Sequence, residues 1–177
     1  DVAPSRGLGD VYKRQIIGII TSNFLAKLKE RLILMNVKAE KFNKFLVEKN
    51  ITCFQTQEVD AEMHPVAYRS FMEVNGQNLP TMLVIDDSIY VMLQVRVAGA
   101  VVKEANRAAV LERLNKLNEG FKVFKYYVNE GGDIIIESCM PAGDSEFAPE
   151  LVHAVIDVVL KHLNEEYANI MKIVWAN

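Results

Sequence analysis

Apolar and polar residues alternate strictly between Ile89 and Val97. Ile89, Val91, Leu93, Val95 and Val97 fall on one face of an extended chain, and Tyr90, Met92, Gln94 and Arg96 on the other. This is the pattern of an antiparallel strand with one face buried and one wet. Two strands are predicted before it, Tyr68 to Val74 and Thr81 to Ile85. Asn75-Gly76 between them is a hairpin signal, because both residues tolerate the positive φ of a tight turn. Asp86-Asp87-Ser88 closes the second connection, its aspartates reading as hydrogen-bond partners of the turn backbone. Phe54 to Val59 has the composition of a further short strand, and Asp60 to Pro65 reads as a loop.

Helical spacing governs the flanking segments. Val37, Phe42, Phe45, Leu46 and Ile51 predict a helix over Lys38 to Lys49, and Val110, Leu111, Leu114 and Leu117 predict another over Lys103 to Leu117, with Gly120 placed to end it. A hairpin follows, Phe121 to Val128 and Asp133 to Cys139 around Asn129-Glu130-Gly131-Gly132. Asp144 or Ser145 is expected to cap a long helix carrying Leu151, Val152, Val155, Ile156, Val159 and Leu163, and Tyr167 to Trp175 continues the helical pattern. The order helix, meander, helix, hairpin, helix groups strands antiparallel instead of alternating them singly with helices. It predicts an α+β domain over residues 35–177: a sheet of about five strands, a meander of three plus a hairpin of two, with helices on one face.

Residues 1–34 read differently. Asp10-Val11-Tyr12-Lys13-Arg14-Gln15 looks like the in-frame translation of a sequencing-library transposon end, and Met35 is then a plausible natural start. The alternative is a genuine helical extension from Thr21 to Met35. On the first reading, residues 1–34 make little tertiary contact and a chain beginning at Met35 keeps its stability.

Composition narrows the function classes. The chain has 177 residues, half of them hydrophobic, and a net charge of −3. With a pI of about 5.7 and no basic run, it is not expected to bind nucleic acid. No apolar run is long enough for a membrane span, and Ile16 to Leu34 breaks into charges without a signal-peptide cleavage site, so a cytoplasmic protein is expected. Cys53 and Cys139 are expected to be reduced core or near-core thiols. His64 reads as a solvated loop residue. His153 and His162, nine residues apart, point to opposite sides of one helix, since each residue turns about 100°. No metal-ligand spacing, serine elbow or phosphate loop is present, so no catalytic, metal or cofactor residue is assigned. Phe121, Phe124, Tyr126 and Tyr127 read as core and not as a base-stacking platform.

Leu79-Pro80, Asp86-Asp87-Ser88-Ile89-Tyr90-Val91, Phe124-Lys125-Tyr126-Tyr127-Val128, the run Glu137 to Pro141 and the Pro149-Glu150-Leu151-Val152 helix opening resemble the YbjN family, described as bacterial sensory-transduction regulators. The resemblance covers about Met35 to Trp175. It implies a type III secretion chaperone-like fold, often dimeric and binding extended protein segments, and a non-enzymatic regulatory adaptor. The leading expectation is therefore a cofactor-free protein-binding module, with a protein partner and a homodimer as its expected assemblies. A small-ligand receptor or an enzyme with a pocket of dispersed polar residues is the alternative. The expected working surface is the open sheet face: Arg69, Phe71, Tyr90, Met92 and Arg96, an aromatic, Met and Arg mixture typical of interfaces. Register cannot be read from sequence, but Arg69, Phe71 and Glu73 are the expected outward set of their strand.

Overall fold

The computed structural model describes residues 36–176; the reading of residues 1–34 falls outside them. The elements run α1 (Val37–Glu48), β1 (Gln55–Glu58), β2 (Val66–Val74), β3 (Gln77–Ile85), β4 (Tyr90–Ala98), α2 (Glu104–Gly120), β5 (Lys125–Val128), β6 (Ile134–Pro141) and α3 (Pro149–Val174). All strand pairs are antiparallel, in one six-stranded sheet of order β1-β2-β3-β4-β6-β5. The α+β class holds, but the sheet has six strands and not five. The sixth is β1, which falls within the short strand expected over Phe54 to Val59 but lies outside the expected meander of three plus hairpin of two.

The β2–β3 turn is Asn75-Gly76, with φ of 49° and 78°, so both central residues adopt the left-handed conformation that suits a two-residue hairpin. β3 begins at Gln77, four residues before the expected Thr81. Pro80 hides this start, since proline normally argues against a strand interior. It is tolerated because the β3–β4 ladder ends at Thr81 opposite Val95, so at Pro80 only the β2 side is paired, opposite Phe71.

Apart from Ala67, the buried residues of the strands fall on one face. Tyr68, Met72 and Val74 of β2, Leu79, Leu83 and Ile85 of β3, Val91, Leu93, Val95 and Val97 of β4, and Ile134 and Ile136 of β6 join Phe42 and Phe45 of α1, Val110, Leu114 and Leu117 of α2, and Val152, Val159, Leu163 and Ile170 of α3 in one core. Burying that many aliphatic side chains supplies the main stabilisation, roughly 1.5–3 kcal/mol for each one fully removed from water. Arg113 of α2 and Glu166 of α3 form an ion pair between the two helices.

Two further boundaries, and the burial of three residues, depart from expectation. Phe121 to Phe124 is not strand: Phe121 stacks on Phe124 at 4.8 Å between ring centroids, and only Lys125–Val128 joins the sheet. Asp144 and Ser145 do not cap α3; they lie in a turn, and the helix starts at Pro149 after Ala148 without a side-chain cap. Proline at the first helical position lacks the N–H that would otherwise go unbonded. Leu151, expected on the buried stripe, is 67% exposed. Both cysteines are also exposed, not core: Cys139 falls on the open side of β6 and Cys53 precedes β1.

Candidate functional site

The alternation that buries one face of each strand dictates what the other shows. On the open face β2 presents Arg69, Phe71 and Glu73, β3 presents Pro80 and Met82, β4 presents Tyr90, Met92, Gln94 and Arg96, and β6 presents Ile135, Glu137 and Cys139. Phe71 is 66% exposed, an unusual state for a phenylalanine in an interior strand.

A depression of about 700 Å³ lies on this face, over the end of the β3–β4 ladder. Arg69, Phe71, Pro80, Met82, Arg96 and Ile135 contribute to its lining, with Cys53, Gln55 and Gln94 among the polar groups. Every lining residue comes from the sheet or the segment leading into β1. Of the five expected surface residues, Arg69, Phe71 and Arg96 are brought together here. Tyr90 and Met92 share the face but lie further along β4, outside the depression; Tyr90 is 44% exposed and Met92 is half-buried opposite Cys139 and Val84.

Charge is distributed unevenly across the face. Glu137 is satisfied where it stands: Gln94 Nε2 donates to its Oε2 at 2.6 Å and the Tyr127 hydroxyl at 3.3 Å. Partial burial and the neighbouring Glu137 hold the Tyr127 phenol above its ordinary pKa. The lining of the depression, by contrast, holds two arginines and no carboxylate. Among the described residues, neither Arg69 nor Arg96 belongs to a salt bridge.

A second polar cluster lies at the start of α1. The Lys38 side chain is fully buried, and its ammonium donates to the backbone carbonyls of Ser88, Tyr90 and Ala142, the latter two at 3.3 Å. Burial pushes its pKa down, opposed by Asp86, Asp144 and Asp87. Asn36 caps α1 by accepting from the Ala39 N–H at 2.8 Å, and its amide donates to Asp87 Oδ1 at 2.8 Å. Asp87 Oδ2 lies 2.6 Å from His64 Nδ1, so His64 is half-exposed but partnered. The same aspartate's N–H donates to Met63 O at 2.9 Å, holding Met63 and His64 at φ of 71° and 42°. Asp86 is the turn residue of the expected kind, accepting from the Ser88 N–H at 3.0 Å. Asp87 instead ties the β3–β4 turn to α1 and the β1–β2 loop.

Among the described residues, no group of three or more His, Cys, Asp or Glu side chains is placed to hold a metal ion, and no helix is long and apolar enough to cross a membrane. Sequence reasoning reached Arg96 from alternation, and Arg69 and Phe71 by preferring the mixed set of β2 over Tyr68, Ser70 and Met72 as the outward one. It missed Pro80, Met82 and Ile135, which need the β3 start and the β4–β6 pairing to be known. Among the described residues, the fold and this face define an α+β protein with a one-sided core and a sheet surface that no helix covers. No family model matches the chain, and no curated protein matches it.

Proposed function

We propose that this chain is a non-enzymatic protein-binding module, an adaptor or chaperone-like regulator in keeping with its resemblance to the YbjN family, working through the open face of its sheet. The observation that carries the reading is the depression around exposed Phe71, flanked by two arginines that form no salt bridge among the described residues, although Arg96 lies near Asp133. Aromatic, Met and Arg side chains are enriched at protein interfaces, where they bring large contact area and directed hydrogen bonds. A small-ligand receptor is the alternative, favoured by a depression volume within the usual range of ligand pockets. Among the described residues nothing roofs the depression, which favours a macromolecular partner, since a small ligand would stay mostly in water.

The test compares quantitative affinity capture by the unaltered chain, by Phe71→Ser, by the pair Tyr90→Ser and Met92→Lys, and by Leu151→Ser as an equally exposed change on the helix side. The open-face variants should fold, because the core-facing residues are untouched, and should lose captured protein that Leu151→Ser retains. Equal capture by all four would remove the sheet face from consideration.

A further inference from the structure

We infer that the depression on the open face takes an acidic, extended segment of a partner protein, with an apolar side chain seated between its carboxylates. The inference rests on reading that face as a docking surface and adds the chemistry of what docks. Arg69 and Arg96 both border the depression, and Phe71, Pro80, Met82 and Ile135 supply its apolar surface. Guanidinium groups recognise carboxylates through paired N–H donors, and an arginine held in no salt bridge beside an apolar surface is ready to do so.

The sheet's geometry sets the spacing. Arg69 lies on β2 opposite Met82 of β3, and Met82 lies opposite Gln94 of β4, two residues from Arg96. Two strand steps and two residues place the two arginine backbones roughly 12 Å apart, from spacings of about 4.8 Å between strands and 3.3 Å along them. That separation suits one carboxylate for each guanidinium group. Two carboxylates on an extended chain can meet them if they stand four residues apart, about 13 Å at about 3.3 Å per residue, with the residue midway between them on the same face. The apolar floor between the arginines then faces an intervening side chain. Of the two glutamines at the border, Gln55 and Gln94, Gln94 already donates to Glu137. A protein partner is favoured over a nucleic acid because the chain as a whole is acidic, at −3, and repels a polyanion except at this spot.

The test is selection from a random dodecapeptide display library on the full chain, followed by binding measurements on the enriched peptides at low and high salt. Enriched peptides should carry two acidic residues four positions apart with an apolar residue midway between them. Their affinity should fall about tenfold or more for the paired Arg69→Gln and Arg96→Gln variant and for Phe71→Ser. Binding should weaken with salt for the unaltered chain, and much less so for the double arginine variant. Thermal melting of each variant checks that the fold is kept. Peptides that depend on Phe71 but are neutral or basic, and indifferent to the arginines, would overturn the acidic specificity while leaving the docking face standing. No enriched peptide that depends on Phe71 would overturn both. Displacement of the peptides by a single-stranded thymidylate dodecamer, or a dimer that dissociates in the double arginine variant, would replace the proposed partner by a nucleic acid or a second copy.

Discussion

The Tyr126 hydroxyl lies 2.8 Å from His162 Nε2, joining β5 to α3 through a hydrogen bond buried beneath Phe121 and Phe124. His162 is 2% exposed, and its Nδ1 has no hydrogen-bond partner among the described residues. Burial lowers the pKa of the imidazole; Glu166 and Glu165 oppose this and Arg113 adds to it. The folded state therefore favours the neutral ring. Above the unfolded value of about 6.5 the ring is neutral in both states and the folded chain keeps its full stability; below it the unfolded chain takes up a proton that the folded chain resists. Stability should fall as pH drops from about 6.5 toward the lower folded value. Melting temperatures from about pH 7.5 to about pH 5.5 should fall further for the unaltered chain than for His162→Gln, which cannot titrate. Parallel curves would show that His162 is not the group responsible.

Lys38 tests the other buried polar centre. Replacing it with methionine keeps the stem but removes the donor from the carbonyls of Ser88, Tyr90 and Ala142, so the β3–β4 turn and the end of β6 lose their common tether to α1. Breaking a buried charged hydrogen-bond network costs about 3 kcal/mol. Urea unfolding of Lys38→Met should show a loss of that size, whereas Lys44→Met on the exposed side of α1 should change little.

Two glycines with the same φ of 78° should respond differently to alanine. At Gly76 an added Cβ meets nothing within 4 Å, so only the left-handed backbone cost of about 1 kcal/mol applies. At Gly132 the Cβ would stand 2.6 Å from the Val102 carbonyl oxygen, which is backbone and cannot swing away. That carbonyl belongs to the residue whose N–H bonds Gly132 O at 3.0 Å, so relief would break this contact. Gly132→Ala should cost about 3 kcal/mol or more, against about 1 kcal/mol for Gly76→Ala, in the same denaturant titration.

The cysteines give a direct chemical check. Cys53 and Cys139 are both exposed, so both thiols should react with an aromatic disulfide reagent in the native protein. Modification of Cys53, at the border of the depression, should reduce binding of the selected acidic peptides. Thiols that react only after denaturation would return both residues to the interior.

Local code made much of the fold legible. The alternation of β4 and the Asn75-Gly76 turn needed only nearest neighbours to read, and the outward set Arg69, Phe71 and Glu73 followed from the same period of two. What failed depended on distant partners. Pro80 concealed the first half of β3 because its missing N–H is harmless only where the β4 ladder has already ended. Asp144 and Ser145 resemble a helix cap, but the chain makes a further turn before Pro149. The apolar surroundings of Cys139 suggested burial, whereas pairing with β4 turns it outward opposite Met92. Arg69 and Arg96 could each be named from sequence, but only the sheet shows that they border one depression free of carboxylates.

The pairing of β4 with β6 has a further consequence. The strands that border the depression come from both halves of the chain: β1 to β4 form by local hairpins, whereas Ile135 arrives only after α2 and β5 have been synthesised. Closing that ladder is the longest-range step in building the sheet and should be the slow one, since non-local pairing must first overcome chain entropy. A nascent chain that has reached only β4 has an unpaired edge and an unfinished depression. A partner that needs the finished surface therefore discriminates mature molecules from incomplete ones, and by binding only the mature form it deepens the native basin in proportion to its concentration.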